Sequence, residues 1–272
     1  MKRRMIALLL ALTLLCTGVL FTGCGNGTEP EVVKGQTAFE VINAALEKTE
    51  NLDSMAAQMK MEINMTAAGL SLSIPITMNL KGKGMKSTNP IISTDVSMSI
   101  FGQSMEFELY QEGGWTYMVM GDMKYKAPVS DETDDMDYAE SFDEILKKIP
   151  ESVLKDVELV KAADGSQTAT ISFPAELFAE VYEEFVESVN SETGTDAEEM
   201  QISDAVVKIT VADGYITVYD LSFKMGMTVE GVSTSAEAKA TITYDNPGKD
   251  VTITPPEGYQ SFEETTGLFG EA

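Results

Sequence analysis

Ala57-Gln58-Met59-Lys60-Met61-Glu62-Ile63-Asn64-Met65, followed by Leu70-Ser71-Leu72-Ser73-Ile74-Pro75-Ile76-Thr77-Met78-Asn79-Leu80, decides the fold. In both runs apolar and polar residues alternate. A strand turns successive side chains to opposite faces, so each run has one greasy and one wet face, as in an antiparallel sheet wetted on one side. Pro75 has no N–H to give to a ladder and argues for an edge position or a bulge. The alternation continues through Ile92, Thr94, Val96, Met98 and Ile100, then Met105, Phe107 and Leu109. Glu112-Gly113-Gly114 turns the chain into 115–120, and Gly121-Asp122 into 123–126. Further strands are expected at 157–161, 168–173, 202–212, 215–229 and 233–244, with a last short one at 251–254.

Helical spacing occurs in three places. Thr37 and Glu40 have the separation of a capping box, and Ala38, Val41, Ile42, Ala45 and Leu46 then form one face of a helix over 38–50. Phe142, Ile145, Leu146 and Ile149 mark a short helix stopped at Pro150. Pro174 opens a helix over 175–189, with Phe178, Val181, Tyr182, Phe185 and Val189 facing inward and Glu180, Glu183, Glu184 and Glu187 facing water. No stretch alternates strand and helix as a parallel fold does. The expected class is α+β: an antiparallel sheet of about ten strands, enough to force curling, with about three helices over its concave face.

The N-terminus carries a second message. Lys2-Arg3-Arg4 precedes an apolar run from Ile6 to Phe21, then Thr22-Gly23-Cys24 and a polar stretch over 25–36. That is the layout of a secretory signal. It resembles the lipobox of bacterial lipoproteins, which implies cleavage of residues 1–23, acylation of Cys24 and a lipidated, flexible tether over 24–36. Phe21 stands where that motif usually has Leu. Loss of the leader takes the net charge from −25 to −28, with 16 Lys against 44 acidic residues. Such a chain repels nucleic acid and an anionic bilayer alike, so acyl chains must supply the anchor.

Absences narrow the chemistry. The sequence has no His, and past the leader it has neither Arg nor any Cys besides Cys24. A Ser-His-Asp triad, an ordinary zinc site, bidentate Arg clamps and a disulfide are all excluded. No pair of carboxylates is singled out by spacing, so no catalytic residue, metal ligand or cofactor is named and no enzyme is expected. A carboxylate hydrolase is a distant third reading. The acidic run over 131–137 lacks the Gly and Glu an EF-hand needs and reads as a solvated loop.

The order helix, meander, helices, meander, with the helix ending in Leu52-Asp53-Ser54 and the closing Val251-Thr252-Ile253-Thr254-Pro255-Pro256, resembles bacterial lipoprotein carriers. These include LolA-like chaperones, mycobacterial glycolipid-binding lipoproteins and Gram-positive surface lipoproteins. The resemblance covers 37–256, leaving 257–272 as a tail. It implies a strongly curved sheet forming an incomplete barrel, with helices across its hollow and a hydrophobic cargo within. It also implies residence outside the cytoplasm at the cell membrane.

Fifteen methionines follow the leader. Met59, Met61, Met65, Met78, Met98, Met105, Met225 and Met227 share strand faces. With Phe178, Tyr182 and Phe185 they are the candidate lining for an acyl chain or similar ligand, since methionine adapts to varied apolar shapes. The same residues read equally as core under the helices. Trp115, Tyr117 and Tyr125 read as stacking residues or cross-strand plugs. The expected function is a membrane-anchored extracytoplasmic lipoprotein that binds, carries or senses a lipid-like molecule. The alternative is a non-enzymatic envelope interaction module with a packed core.

Overall fold

The computed structural model describes residues 31–67, 69–129, 149, 151–173, 198–229 and 232–265. The chain runs β1 (Glu31–Val32), α1 (Ala38–Glu50), β2 (Ser54–Ala67), β3 (Leu70–Lys83), β4 (Ile91–Ile100), β5 (Gln103–Glu112), β6 (Trp115–Met120) and β7 (Met123–Pro128). It continues through α2 (Glu151–Lys155), β8 (Leu159–Lys161), β9 (Gln167–Ser172), β10 (Glu198–Ala212), β11 (Tyr215–Val229), β12 (Val232–Tyr244), a 3-10 turn (Tyr259–Ser261) and β13 (Glu263–Glu264).

All thirteen strands belong to one open, curved sheet in the order β1-β8-β9-β10-β11-β12-β2-β3-β4-β5-β6-β7-β13. Two meanders meet at a central antiparallel seam between β12 and β2, from Ala57 opposite Tyr244 to Ala67 opposite Thr234. Three register shifts interrupt the β10–β11 ladder, and Asp204 there adopts a left-handed φ of 56°. Such bulges bend and coil a strand, which accounts for curvature on that side.

The expectation of a ten-strand antiparallel sheet under three helices is corrected here. The sheet has thirteen strands, and β13 runs parallel to β7, which makes it mixed. Among the described residues the helical cover is α1 and the single turn of α2. The expected helix over 175–189 lies outside the described residues, as does that marked by Phe142, Ile145, Leu146 and Ile149 except for Ile149 itself, which is buried and not helical. Glu151–Lys155 is helical just after Pro150, where a proline ends a preceding helix but suits the start of the next.

Strand pairing continues on either side of residues 37–256. β1 lies in the expected tether, pairing with β8. Residues 251–254 alternate but form no strand. The Val251 N–H donates instead to Ser54 Oγ at 3.0 Å. The expected tail is packed through Phe262 and adds β13.

α1 starts as expected. The Glu40 N–H donates to Thr37 Oγ1 (3.2 Å), and the Thr37 N–H donates to the Glu40 carboxylate (2.9 Å). Its apolar face, Ala38, Ile42, Ala45 and Leu46, packs on Ala169, Ile171, Val207, Ile209, Ile216 and Leu221. Thr49 ties the helix to the sheet. Its buried Oγ1 donates to the Ala45 carbonyl (2.7 Å) and accepts from the Ile216 N–H (3.1 Å). Lys48 closes the same end, donating to the Asp213 carbonyl at 2.7 Å with its ammonium 3.7 Å from the centre of the Tyr215 ring.

Candidate functional site

Sheet register sorts the methionines into rows that cross strands about 4.8 Å apart. Met59 stands between Ile242 of β12 and Met78 of β3, with Val96 and Phe107 beyond. In the next row Met61 lies between Ala240 and Ile76, followed by Met98 and Met105. Ile63 continues between Ala238 and Ile74. Met65 then sits between Ala236 and Leu72, with Met225 on the far side of Ala236. β12 gives this face Ala236, Ala238 and Ala240, a shallow furrow between the larger side chains of β11 and β2.

Burial is graded along these rows. Met61 is 3% exposed, while Met59, Met65, Met78, Met98 and Met225 are half-buried and Met105 is 43% exposed. All but Met105 join Ile63, Ile74, Ile76, Val96 and Phe223 in one apolar cluster to which neither α1 nor α2 contributes a residue. The two helices belong to the neighbouring cluster on β9–β11. Met227 stands opposite Thr234 in the β11–β12 ladder. Phe178, Tyr182, Phe185 and Cys24 lie outside the described residues, as does the acidic run 131–137.

The other face of the first meander differs in kind. A hollow of about 300 Å³ opens there, lined in part by Asn79, Asp95, Ser97, Glu106, Glu108 and Val119. Asp95 and Glu108 are directly opposed across β4 and β5. Burial, and next the charge of Asp95, holds the Glu108 carboxyl above the ordinary range. Gln58 Nε2 donates to Asn79 Oδ1 at 2.8 Å beside it. Among the described residues no cluster of His, Cys, Asp or Glu could hold a metal ion. Sequence reasoning missed this hollow, although the polar parity of Asn79, Asp95 and Glu108 was there to find it.

Lower on that outer face, Tyr110 and Tyr117 are buried beneath the segment after β12. The Tyr259 ring meets Tyr117 edge-on at 4.9 Å, and its hydroxyl donates to the Glu112 carboxylate at 2.8 Å. Phe262 completes the cluster. Burial first, and then the Glu112 carboxylate, pushes the Tyr110 hydroxyl well above its ordinary range. The Lys126 ammonium lies 5.0 Å from the centre of the half-buried Trp115 ring. Trp115 and Tyr117 therefore plug the fold, while Tyr125, opposite Met118, belongs to the other face.

No helix among the described residues is long and apolar enough to cross a membrane. The fold is similar to LprF from Mycobacterium bovis, at 12% identity over 81% of this chain and 97% of that one, with a TM-score of 0.38. It is similar also to a DUF1329 family protein from Desulfovibrio piger (8% identity, 80% and 95% covered, TM-score 0.26). A LolA superfamily protein from Nitrosomonas europaea is a further likeness (9% identity, 78% and 96% covered, TM-score 0.20). No curated protein matches the sequence. Residues 37–258 match the family of unknown function DUF6612, and the chain belongs to that family.

Proposed function

We propose that the protein is an extracytoplasmic lipoprotein, freed of residues 1–23 and held at the membrane by acyl chains on Cys24, whose methionine face takes up a lipid-like molecule to carry or sense. The observation that carries this reading is the graded exposure of the Met59, Met65, Met78, Met98, Met105 and Met225 rows, to which neither described helix contributes cover. Flexible thioether side chains on a half-open sheet accept apolar ligands of varied shape. The reading is non-enzymatic, in keeping with the lack of His and, past the leader, of Arg.

The test is native mass spectrometry of the protein purified from its own membranes, with uptake of a fluorescent fatty acid measured in parallel. A co-purified apolar mass and saturable uptake, both weakened by Met98→Glu, are expected. A bare mass with no uptake overturns the reading in favour of an envelope interaction module.

A further inference from the structure

Among the described residues six large apolar side chains are exposed, and five of them lie at one end of the first meander. Leu70 (77% exposed) begins β3, Phe101 (83% exposed) forms the β4–β5 turn, and Met105 follows it. Met120 and Met123 flank the β6–β7 turn. The register explains their alignment. Extending the β3–β4 ladder two residues past Ile76 and Met98 sets Ile100 level with Ile74, so the β4–β5 tip ends four residues below Leu70. Extending the β5–β6 ladder past Glu108 and Val119 sets Met120 level with Phe107, again four residues below Gln103. At about 3.3 Å per residue each step is roughly 13 Å. The three tips therefore descend in equal steps along one oblique edge.

Phe101 is the outlier that gives this edge meaning. The described residues with positive φ other than glycine are Phe101, Asp204, Asp213 and Asn246. Asp and Asn tolerate the left-handed region, but phenylalanine does not. The pairs Phe101-Gly102 (53° and 75°) and Asp213-Gly214 (54° and 76°) make the same turn, and Asp-Gly is the ordinary way to make it. At Phe101 the chain accepts both backbone strain and an exposed aromatic ring, and strain of this kind accompanies function.

Charge says what the edge meets. In a chain of net charge −25, residues 63–80 and 96–105 contain no charged side chain, so the two upper tips are apolar residues collared by Ser, Thr and Gln. Asp122 and Lys124 bring charge back only at the lowest tip. A neutral collar around apolar points suits the boundary between lipid headgroups and acyl chains, whereas a protein partner for so acidic a molecule would be met by charge. Leu70, Met105, Met120 and Met123 also keep the parity of the methionine face, which runs out to this edge without a break.

We propose that Leu70 and Phe101 insert into the lipid bilayer, so that the oblique edge docks the sheet on the membrane with its apolar face opening toward the acyl region. The inference holds whether or not the methionine face carries a ligand. The test uses the full chain purified from membranes and placed in phosphatidylcholine vesicles with brominated acyl chains. A Phe101→Trp variant is made in a Trp115→Phe background, and the native Trp115 serves as the reference for a site far from the edge.

Insertion roughly 5–10 Å below the surface makes shallow bromines quench Trp at position 101 more than deep ones, and several-fold more than they quench Trp115. A Leu70→Trp variant in the same background repeats the readout in case the turn does not tolerate the first change. Quenching at both positions no greater than at Trp115 overturns the proposal, whether the tips then lie in water or against another protein.

Discussion

Phe262→Ala tests whether the segment after β12 belongs to the fold. Phe262 is 6% exposed and packs with Tyr110, Tyr117 and Tyr259 on the outer face of β5 and β6. A buried phenylalanine removes on the order of 150 Å² or more from water. At about 25 cal/mol per Å² that is roughly 4 kcal/mol. Compactness of the unfolded chain trims the figure to about 3 kcal/mol. Because the segment ends the domain, it can also peel away, which caps the loss at its own docking energy. The expected outcome is a loss of about 2–3 kcal/mol in urea unfolding, and a melting temperature lower by roughly 2–4 °C for each kcal/mol lost. Early proteolytic cleavage between Pro256 and Glu264 should accompany it. A loss below about 1 kcal/mol, with an unchanged cleavage pattern, would refute the reasoning, since surface changes fall in that range.

Phe101→Asn, which keeps the turn and relieves the left-handed phenylalanine, should raise stability by about 0.5–1 kcal/mol. A fall in the urea midpoint would show that the ring makes stabilising contacts. Thr49→Val leaves the buried Ile216 N–H without its acceptor and should cost about 1–3 kcal/mol, while Thr49→Ser keeps most of it. Equal losses in the two variants would assign the effect to packing instead. Glu108→Gln carries a pH signature. Its carboxyl is raised in the folded state, so the proton is held more tightly there than in the unfolded chain. The cost of ionising it is absent in acid, grows as pH rises through the unfolded value, and is complete above the folded one. The amide should therefore stabilise at pH 7, by less than about 1 kcal/mol after solvent screening, and change nothing at pH 3. Equal effects at the two pH values would remove the carboxyl from the explanation.

What could be read from the residues was what repeats locally. β2 and β3 are legible because Met59, Met61 and Met65 alternate with charged or amide side chains, and parity alone puts them on the face shared with Met78 and Met98. β11 is legible to its ends because Asp213-Gly214 starts it and the long alternation from Tyr215 sustains it. Two-residue strands have no period to detect, so β1 and β13 were invisible. Tyr259 and Phe262 gave no signal either, since their packing depends on a face of β5 and β6 far away in sequence. Residues 251–254 misled because alternation reports a two-sided environment, and a segment crossing a sheet has one as surely as a strand within it. The methionine positions were legible while their exposure was not, because cover is set by where α1 lands, and it lands on β9–β11.

The central seam has a consequence for how this molecule is made. A chain is built from its N-terminus, and β2, among the earliest strands to emerge, waits for β12, among the last. Until Ile242 arrives opposite Met59, the first meander shows a bare flank of unpaired amides and carbonyls, and α1 has no bed of β10 and β11 to lie on. Long-range pairing of this sort is slow. The newborn protein must pass its whole length through a half-assembled, sticky stage, so its vulnerability to aggregation belongs to its synthesis more than to its finished form.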